Sequence, residues 1–332
     1  MNVLVTGSAG FIGARVCEFL LDRGDAVCGL DNLNSYYEVG LKKARLSKLE
    51  SFNNYQAAEI DLADRKKVEG LFASFLPDVV IHLAAQAGVR HSIHAPQDYV
   101  QSNLVGFLNI LEGCRNFDVK HLVYASSSSV YGDNKKQPFS SRDSVDHPIS
   151  LYAASKRSNE LMAHSYSHLF QLPCTGLRYF TVYGPWGRPD MAPMLFAKAI
   201  LAGEPIKIFN KGKMARSFSF IDDVATATIS CLDKYPAQLV DPEEGINPSN
   251  SSTAPFKILN IGSGHSIELM RFIELLELNL GLEAKKQFLP MQAGDVEVTW
   301  AEIDGLEADR ATSVEDGVKE FTDWYISYYG RP

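Results

Sequence analysis

Through the first half of the chain, short apolar runs alternate with longer stretches whose apolar positions recur at helical spacing. Val3–Val5, Ala26–Leu30, Val79–Leu83, Leu122–Ala125 and Cys174–Tyr179 are short, mainly apolar runs. They predict strands buried on both faces. Between them, Phe11–Arg23, Asp64–Phe75, Pro96–Arg115 and Leu151–Phe170 predict helices. Strand–helix alternation of this kind makes the fold class α/β, a doubly wound parallel sheet with ligands at the carboxyl ends of its strands.

The pattern changes near residue 185. Met191–Leu201 predicts a helix, Ile206–Phe209 a short strand, and Asp222–Asp233 a helix opened by an Asp cap. Pro236–Pro255 is rich in Pro and Asn and poor in apolar residues, which predicts a surface excursion. Lys257–Ile261, Ile267–Leu280 and Val314–Tyr328 supply one strand and two helices. The expected division is a nucleotide-binding domain over residues 1–184, rejoined by 217–235 and 257–265, and a smaller substrate lobe within 185–332.

Composition narrows the class without naming a reaction. At ~150 residues per domain, the 332-residue length suits about two domains. The 32 basic against 40 acidic side chains leave a net charge of −8 and no basic run, so nucleic-acid binding is not expected. Cys17, Cys28, Cys114, Cys174 and Cys231 show no metal-like or C-x-x-C spacing. Reduced thiols, no metal and a cytoplasmic location are expected. No leader pattern stands at Asn2–Val5, and no apolar run is long enough to span a membrane.

Candidate chemistry begins at Thr6-Gly7-Ser8-Ala9-Gly10-Phe11-Ile12-Gly13, between the first strand and first helix. Glycines there permit a tight turn, close approach of a pyrophosphate to backbone N–H groups, and helix–strand packing. A tight turn alone is the competing reading. Asp31 ends the second strand 18 residues after Gly13, where a carboxylate binds adenosine ribose hydroxyls and repels a 2′-phosphate. That favours NAD over NADP. Asp61, Leu62, Leu83, Ala84 and Ala85 lie where adenine and ribose edges would be lined, or are simply strand ends.

Tyr152 and Lys156 open a long helix, four residues apart and on one face. A nearby ammonium favours phenolate, so the Tyr152 pKa is expected to fall. In isolation a solvated helix face is the better reading of such a pair. It follows Ala125-Ser126-Ser127-Ser128-Ser129, hydroxyls at a central strand end that packing does not explain. Hydroxyl, phenol and lysine together suit hydride transfer at a carbinol carbon.

The motifs T-G-x-x-G-x-x-G, H-L-A-A-Q, S-S-S-x-V-Y-G and Y-x-x-x-K resemble the extended short-chain dehydrogenase/reductase family of nucleotide-sugar enzymes, which has a Rossmann-type sheet, over nearly the whole chain. More narrowly, Asp31–Tyr37, Phe180–Met191 and Pro290–Val296 resemble UDP-glucuronate 4-epimerases. The resemblance implies a tightly held NAD that oxidises C4 of a UDP-sugar, rotation of the 4-keto sugar, and hydride return to the other face.

By motif it makes Tyr152 the base, Lys156 its electrostatic partner and Ser127 the hydroxyl bridging Tyr152 and O4. It adds Asn32, Ala87, Asn103, Ser126 and Tyr179 to the cofactor set, with Phe180 beside Tyr179. For the UDP-sugar it implies the diphosphate-binding Arg216, with Arg90 and Arg188 as further cations, Asp295 on the uridine ribose, and Lys207 and Phe209 near uracil. Surface ion pairing is the bland alternative for each arginine.

Thr181 stands where galactose-type epimerases carry Asn, and Gln292 where they often carry Arg. With Ser127 and Ser128, Thr181 offers neutral donors to a C5 carboxylate. A short Gly305–Ala311 turn replaces a longer segment of relatives. The alternatives are a UDP-galactose 4-epimerase, a UDP-uronate decarboxylase from the same intermediate, and, from another class, a catalytically silent NAD-binding protein, against which the retained Tyr152 and Lys156 count. A homodimer through Pro96–Arg115 and Leu151–Phe170 is also implied.

Overall fold

The computed structural model describes residues 1–236, 249–291, 297–304 and 311–331. Along the chain run β1 (Asn2–Thr6), α1 (Phe11–Asp22), β2 (Ala26–Asp31), α2 (Val39–Leu49), β3 (Tyr55–Glu59), α3 (Arg65–Phe75) and β4 (Val79–His82). Next come α4 (His91–His94), α5 (Pro96–Tyr99), α6 (Gly106–Asn116), β5 (His121–Ser127), α7 (Leu151–Phe170) and β6 (Cys174–Tyr179). Then follow β7 (Thr181–Tyr183), α8 (Ala192–Leu201), β8 (Pro205–Ile208), β9 (Ala215–Arg216), β10 (Phe218–Phe220) and α9 (Ile221–Leu232). The remainder is β11 (Phe256–Ile261), β12 (Ile267–Glu268), α10 (Leu269–Leu280), β13 (Lys285–Phe288), β14 (Val298–Thr299) and α11 (Val314–Tyr329).

A seven-stranded sheet in the order β11-β6-β5-β4-β1-β2-β3 is parallel throughout. Its central strands are apolar on both sides because both faces are covered. Val3, Val5, Val79, Ile81 and Val123 pack into one core with α1 and α9, while Leu4, Val80 and Leu122 point into another with α3 and α6. The register brings Thr6, Asp31, His82, Ser127 and Tyr179 to one end of the sheet. The site is built on that end.

Segments after residue 184 divide as the topology requires. The β11 strand pairs with β6 in the large sheet, and α9 packs on α1. Beside them, β9 lies between β12 and β14, β8 pairs with β13, and α10 packs on α8 and α11. Among the described residues, no helix is long and apolar enough to cross a membrane.

Three elements depart from the sequence expectation. The α2 helix shows no apolar stripe in the sequence, because its buried face is Leu41, Lys42, Arg45 and Leu49, half of it cationic. Pro96–Arg115 is not one regular helix: α5 and α6 are joined by π-helical turns over Val100–Val105. The α9 helix is not capped by Asp222. Its N-cap is Phe220, while Asp222 receives Arg15 at 2.7 Å and Asp223 receives the Thr312 N–H and hydroxyl at 2.9 and 3.0 Å. Most of the Pro236–Pro255 excursion, together with Gln292, Asp295 and nearly all of the Gly305–Ala311 turn, lies outside the described residues.

Candidate active site

The glycine-rich turn closes over the end of β1. Gly7 adopts φ +76°, and a Cβ there would sit 2.8 Å from the Ala84 nitrogen. A Cβ on Gly13 would meet the Gly7 carbonyl oxygen at 2.0 Å, so backbone packs on backbone and no side chain is tolerated. Gly10 is the N-cap of α1 and offers no side-chain cap, which leaves the first-turn N–H groups around Phe11, Ile12 and Gly13 to an external acceptor. Asp31 accepts from the Ala9 N–H at 3.2 Å and the Leu33 N–H at 2.9 Å, which orients its carboxylate beside the turn. This cradle and its flanking carboxylate fit a dinucleotide.

On the far side, Asn32 donates to Asp61 at 3.0 Å, and the Leu62 carbonyl accepts from Asn109 at 2.7 Å. Leu83 and Ala84 follow β4 and are tied to Thr6 at 3.1 and 3.2 Å. Ala85 and Ala87 continue that loop, and the Ala87 carbonyl accepts from Tyr99 at 3.0 Å. Asn103, implied as a cofactor contact, has its amide hydrogen-bonded within the protein. It accepts from the Gln86 N–H at 2.8 Å and donates to the Gln86 carbonyl at 3.0 Å and Ser155 at 2.9 Å. It therefore braces the Leu83–Ala87 loop against α7.

At the end of β5, neighbouring serines face opposite ways, as strand alternation requires. Ser126 is turned into the core and donates to Glu160 at 2.6 Å. Glu160 is itself paired with Arg178 at 2.9 and 3.0 Å, both side chains fully buried. Ser127 faces the cleft, accepts from the Ser129 N–H at 3.1 Å and lies close enough to the Tyr152 phenol to lower its pKa. Ser128 starts the tight turn that follows.

Ser150 caps α7 by accepting from the Ala153 N–H at 3.1 Å and so fixes the turn that carries Tyr152. Burial pushes the Tyr152 phenol above its ordinary value, opposed by the Ser127 hydrogen bond and the Arg188 charge. The expected fall driven by Lys156 is thus not what the protein alone produces. Lys156 donates instead to the Ala125 carbonyl at 2.9 Å, and burial pulls its ammonium down to about 8. Nearby His82, sharing a 2.8 Å hydrogen bond with Thr6, is pushed down to about 3 by burial and by Lys156, so it stays neutral.

Tyr179 is packed towards α9, its hydroxyl 2.8 Å from Thr228. Phe180 belongs to a separate apolar cluster with Val130, Tyr131 and Phe139. Thr181 opens β7, half-buried beside the same strand ends. Across the cleft, Arg90 lies over the Phe209 ring at 5.6 Å, which joins the loop after β4 to the turn after β8. Lys207 is exposed on β8. Arg216 lies on β9 and donates to the Ala215 and Glu297 carbonyls at 3.0 and 2.9 Å.

Arg45 and the pairing of Arg188 with Asp190 carry no signal in the sequence. Arg45, almost fully buried, donates to the Ala9 carbonyl at 2.9 Å, the Tyr37 hydroxyl at 2.8 Å, and the Trp186 and Gly187 carbonyls at 2.6 and 3.2 Å. It ties the glycine-rich turn to the loop that carries Arg188. Arg188 in turn is paired with Asp190 at 3.1 and 2.6 Å.

Comparison with known proteins agrees with this geometry. Residues 3–242 match the NAD dependent epimerase/dehydratase family. Protein CapI of Staphylococcus aureus is 49% identical over the full length of both chains. A probable UDP-glucuronate 4-epimerase of Rhizobium meliloti (strain 1021) is 46% identical, covering 100% of this chain and 98% of its own. The crystal structure of UDP-glucuronic acid 4-epimerase from Bacillus cereus, in complex with UDP-glucuronic acid and NAD, superposes with a TM-score of 0.85 at 32% identity, over 99% of this chain and all of that one. This chain belongs to the NAD dependent epimerase/dehydratase family.

Proposed function

We infer that the protein is an isomerase that interconverts UDP-glucuronate and UDP-galacturonate by NAD-dependent epimerisation at C4. The observation that carries the reading is the meeting of Tyr152 and Ser127 at the end of β5, with Lys156 behind them and the glycine turn across the sheet end. Relatives named as UDP-glucuronate 4-epimerases support the choice of sugar. NAD supplies a hydride acceptor, and later a donor, at the sugar carbon.

The chain's own groups handle the proton and the charge. Tyr152 takes the proton of the C4 hydroxyl, and Ser127 shares the hydrogen bond that aligns it. Lys156 supplies positive charge behind the phenol. The first-turn N–H groups of α1 hold the pyrophosphate and Asp31 the ribose diol, with Asn32, Asp61, Leu62 and Leu83–Ala87 along the adenosine edge. Arg216 and Arg90 suit the substrate diphosphate, as guanidinium forks match phosphate oxygens. The lobe built on β8, β9 and β12–β14 forms the sugar-nucleotide wall.

A 4-keto uronic acid is a β-keto acid and loses CO₂ when its carboxylate stands perpendicular to the carbonyl plane. Thr181, Ser127 and Ser128 are neutral donors that hold the carboxylate away from that orientation. Incubation with UDP-glucuronate and with UDP-galactose, followed by separation of the sugars, tests the assignment: UDP-galacturonate from the first and little turnover of the second are expected. Conversion of UDP-galactose alone would refute it. Thr181→Ala should release more UDP-4-keto-pentose; no increase counts against the carboxylate role.

The reading extends to a cytoplasmic homodimer. Leu108 of α6 and Leu161 and Leu169 of α7 are 41%, 54% and 68% exposed, an apolar surface suited to a second copy of the same helix pair. The five cysteines are buried free thiols, in keeping with a reducing compartment.

A further inference from the structure

Arg45, 2% exposed on α2, stands between two turns that are far apart in the chain. Its Nη1 donates to the Ala9 carbonyl at 2.9 Å and the Tyr37 hydroxyl at 2.8 Å. Its Nη2 donates to the Trp186 and Gly187 carbonyls at 2.6 and 3.2 Å. Both backbone groups of Ala9 are thereby engaged, since its N–H donates to Asp31 at 3.2 Å. The next N–H, that of Gly10, donates to the Gly7 carbonyl at 2.9 Å. The Ala9–Gly10 peptide is thus pinned at both ends, and Gly10 is the N-cap of α1. That peptide plane sets the direction in which the free first-turn N–H groups point. At the other end of the guanidinium, Trp186 takes φ +65°, a conformation that a bulky residue keeps only where its surroundings over-determine it. Arg45 holds its carbonyl, and its ring packs on Trp324 and Tyr328 of α11 at 5.4 and 5.0 Å between centroids.

We propose that Arg45 is a positioning residue for NAD: its planar fork aligns the peptide before α1 and seats it on the Trp186 turn, so that the packing of Trp186 against α11 governs how tightly the glycine-rich turn holds the dinucleotide. A guanidinium is rigid, so its two Nη groups keep a fixed separation and a shift at Trp186 is passed to Ala9. A lysine in the same place offers one point charge and cannot hold both turns in one plane. The charge contributes as well. All four acceptors are neutral, three carbonyls and a phenol, so no carboxylate among them offsets the burial of Arg45. A pyrophosphate at the first turn of α1 brings negative charge to this region, which favours the NAD-loaded state. Nothing in the arrangement depends on which sugar is bound. It requires only that the glycine-rich turn holds NAD.

The test is the rate at which NAD leaves the purified, NAD-loaded protein without sugar, read as NAD recovered in the filtrate over time after dilution. Arg45→Lys should release NAD about tenfold faster or more, the loss expected for hydrogen bonds from a charged group. Arg45→Met, which removes the charge as well, should be faster still. Trp186→Leu loosens the packing on α11 and should also speed release several-fold. In the Arg45→Lys background the same change should add less than about twofold, because the connection is already broken. Val318→Ala, a truncation buried elsewhere on α11, should leave release unchanged and so controls for general loosening. Release at the parent's rate in Arg45→Lys overturns the proposal, as does full additivity of Trp186→Leu with Arg45→Lys. So does an Arg45→Met protein that holds NAD better than Arg45→Lys, or a lowered Tm in either with NAD release unmoved. Should the Arg45 variants not fold, Trp186→Leu decides alone: unmoved release, or equal acceleration by Val318→Ala, overturns the proposal. Because no sugar is used, failure to act on UDP-glucuronate would refute the activity and leave this result standing.

Discussion

Replacing Arg178 by methionine isolates the support beneath the catalytic strand. Arg178 and Glu160 are both fully buried, and the guanidinium contacts the carboxylate at 2.9 and 3.0 Å. Ser126 also donates to Glu160 at 2.6 Å and Arg157 at 3.1 Å, so the carboxylate would keep two partners after the change but lose its only fully buried cation among them. Breaking a buried pair by deleting one partner costs about 3–5 kcal/mol, mostly the penalty of the charge left behind. Urea denaturation should show a loss of about that size in Arg178→Met, and less in a double variant with Glu160→Met, where no unpaired carboxylate remains. Charge on Glu160 also sets the pH response. The Arg178 guanidinium and its hydrogen bonds hold the Glu160 carboxyl below its ordinary value against the opposing effect of burial. The stabilisation is therefore present above the unfolded-state pKa and lost as pH falls through the lower folded one. Ser127 is the next residue after Ser126, so kcat should fall with the stability. A loss below about 1 kcal/mol in Arg178→Met, or a double variant worse than the single one, would refute the reasoning.

Further outcomes follow from the geometry. Tyr152→Phe should lower kcat by about 10²–10⁴-fold with NAD and UDP-sugar binding retained, because only the proton acceptor is lost; equal loss of NAD on purification would point to a structural role instead. Gly13→Ala should purify without NAD, since its Cβ would stand 2.0 Å from the Gly7 carbonyl oxygen; normal NAD content would overturn the packing argument. Leu161→Glu should give a monomer by analytical ultracentrifugation, and an unchanged assembly would move the interface elsewhere. Burial drives His82 and His121 down to about 3 and about 4, so the unfolded chain binds protons that the folded chain refuses. Urea midpoints should fall as pH drops below about 6.5, and a flat profile down to the carboxylate range would contradict this.

The sequence by itself determined six of the seven strands of the sheet, all but the polar edge strand β3, and the local chemistry. Val3–Val5, Val79–Leu83 and Leu122–Ala125 are legible because a strand covered on both faces must be apolar at every position. The glycines at 7, 10 and 13 are legible because only a backbone-on-backbone turn needs all three. Tyr152 and Lys156 share a helical face whatever surrounds them.

Tertiary structure alone decided which of these groups are free to act. Ser126 and Ser127 read alike as hydroxyls, yet one is bound to Glu160 and the other faces the cleft. Asn103 reads only as a ligand, yet it also braces the loop after β4 against α7. Lys156 reads only as a cation four residues from Tyr152, and the fold adds that its ammonium is anchored on the Ala125 carbonyl. Arg45 and Arg178 carry no sequence signal of a role and are buried ties in the fold. Local pattern reports which face a residue occupies. Whether its polar atoms are already satisfied depends on partners as far away as the 141 residues between Arg45 and Trp186, and no window along the chain contains both.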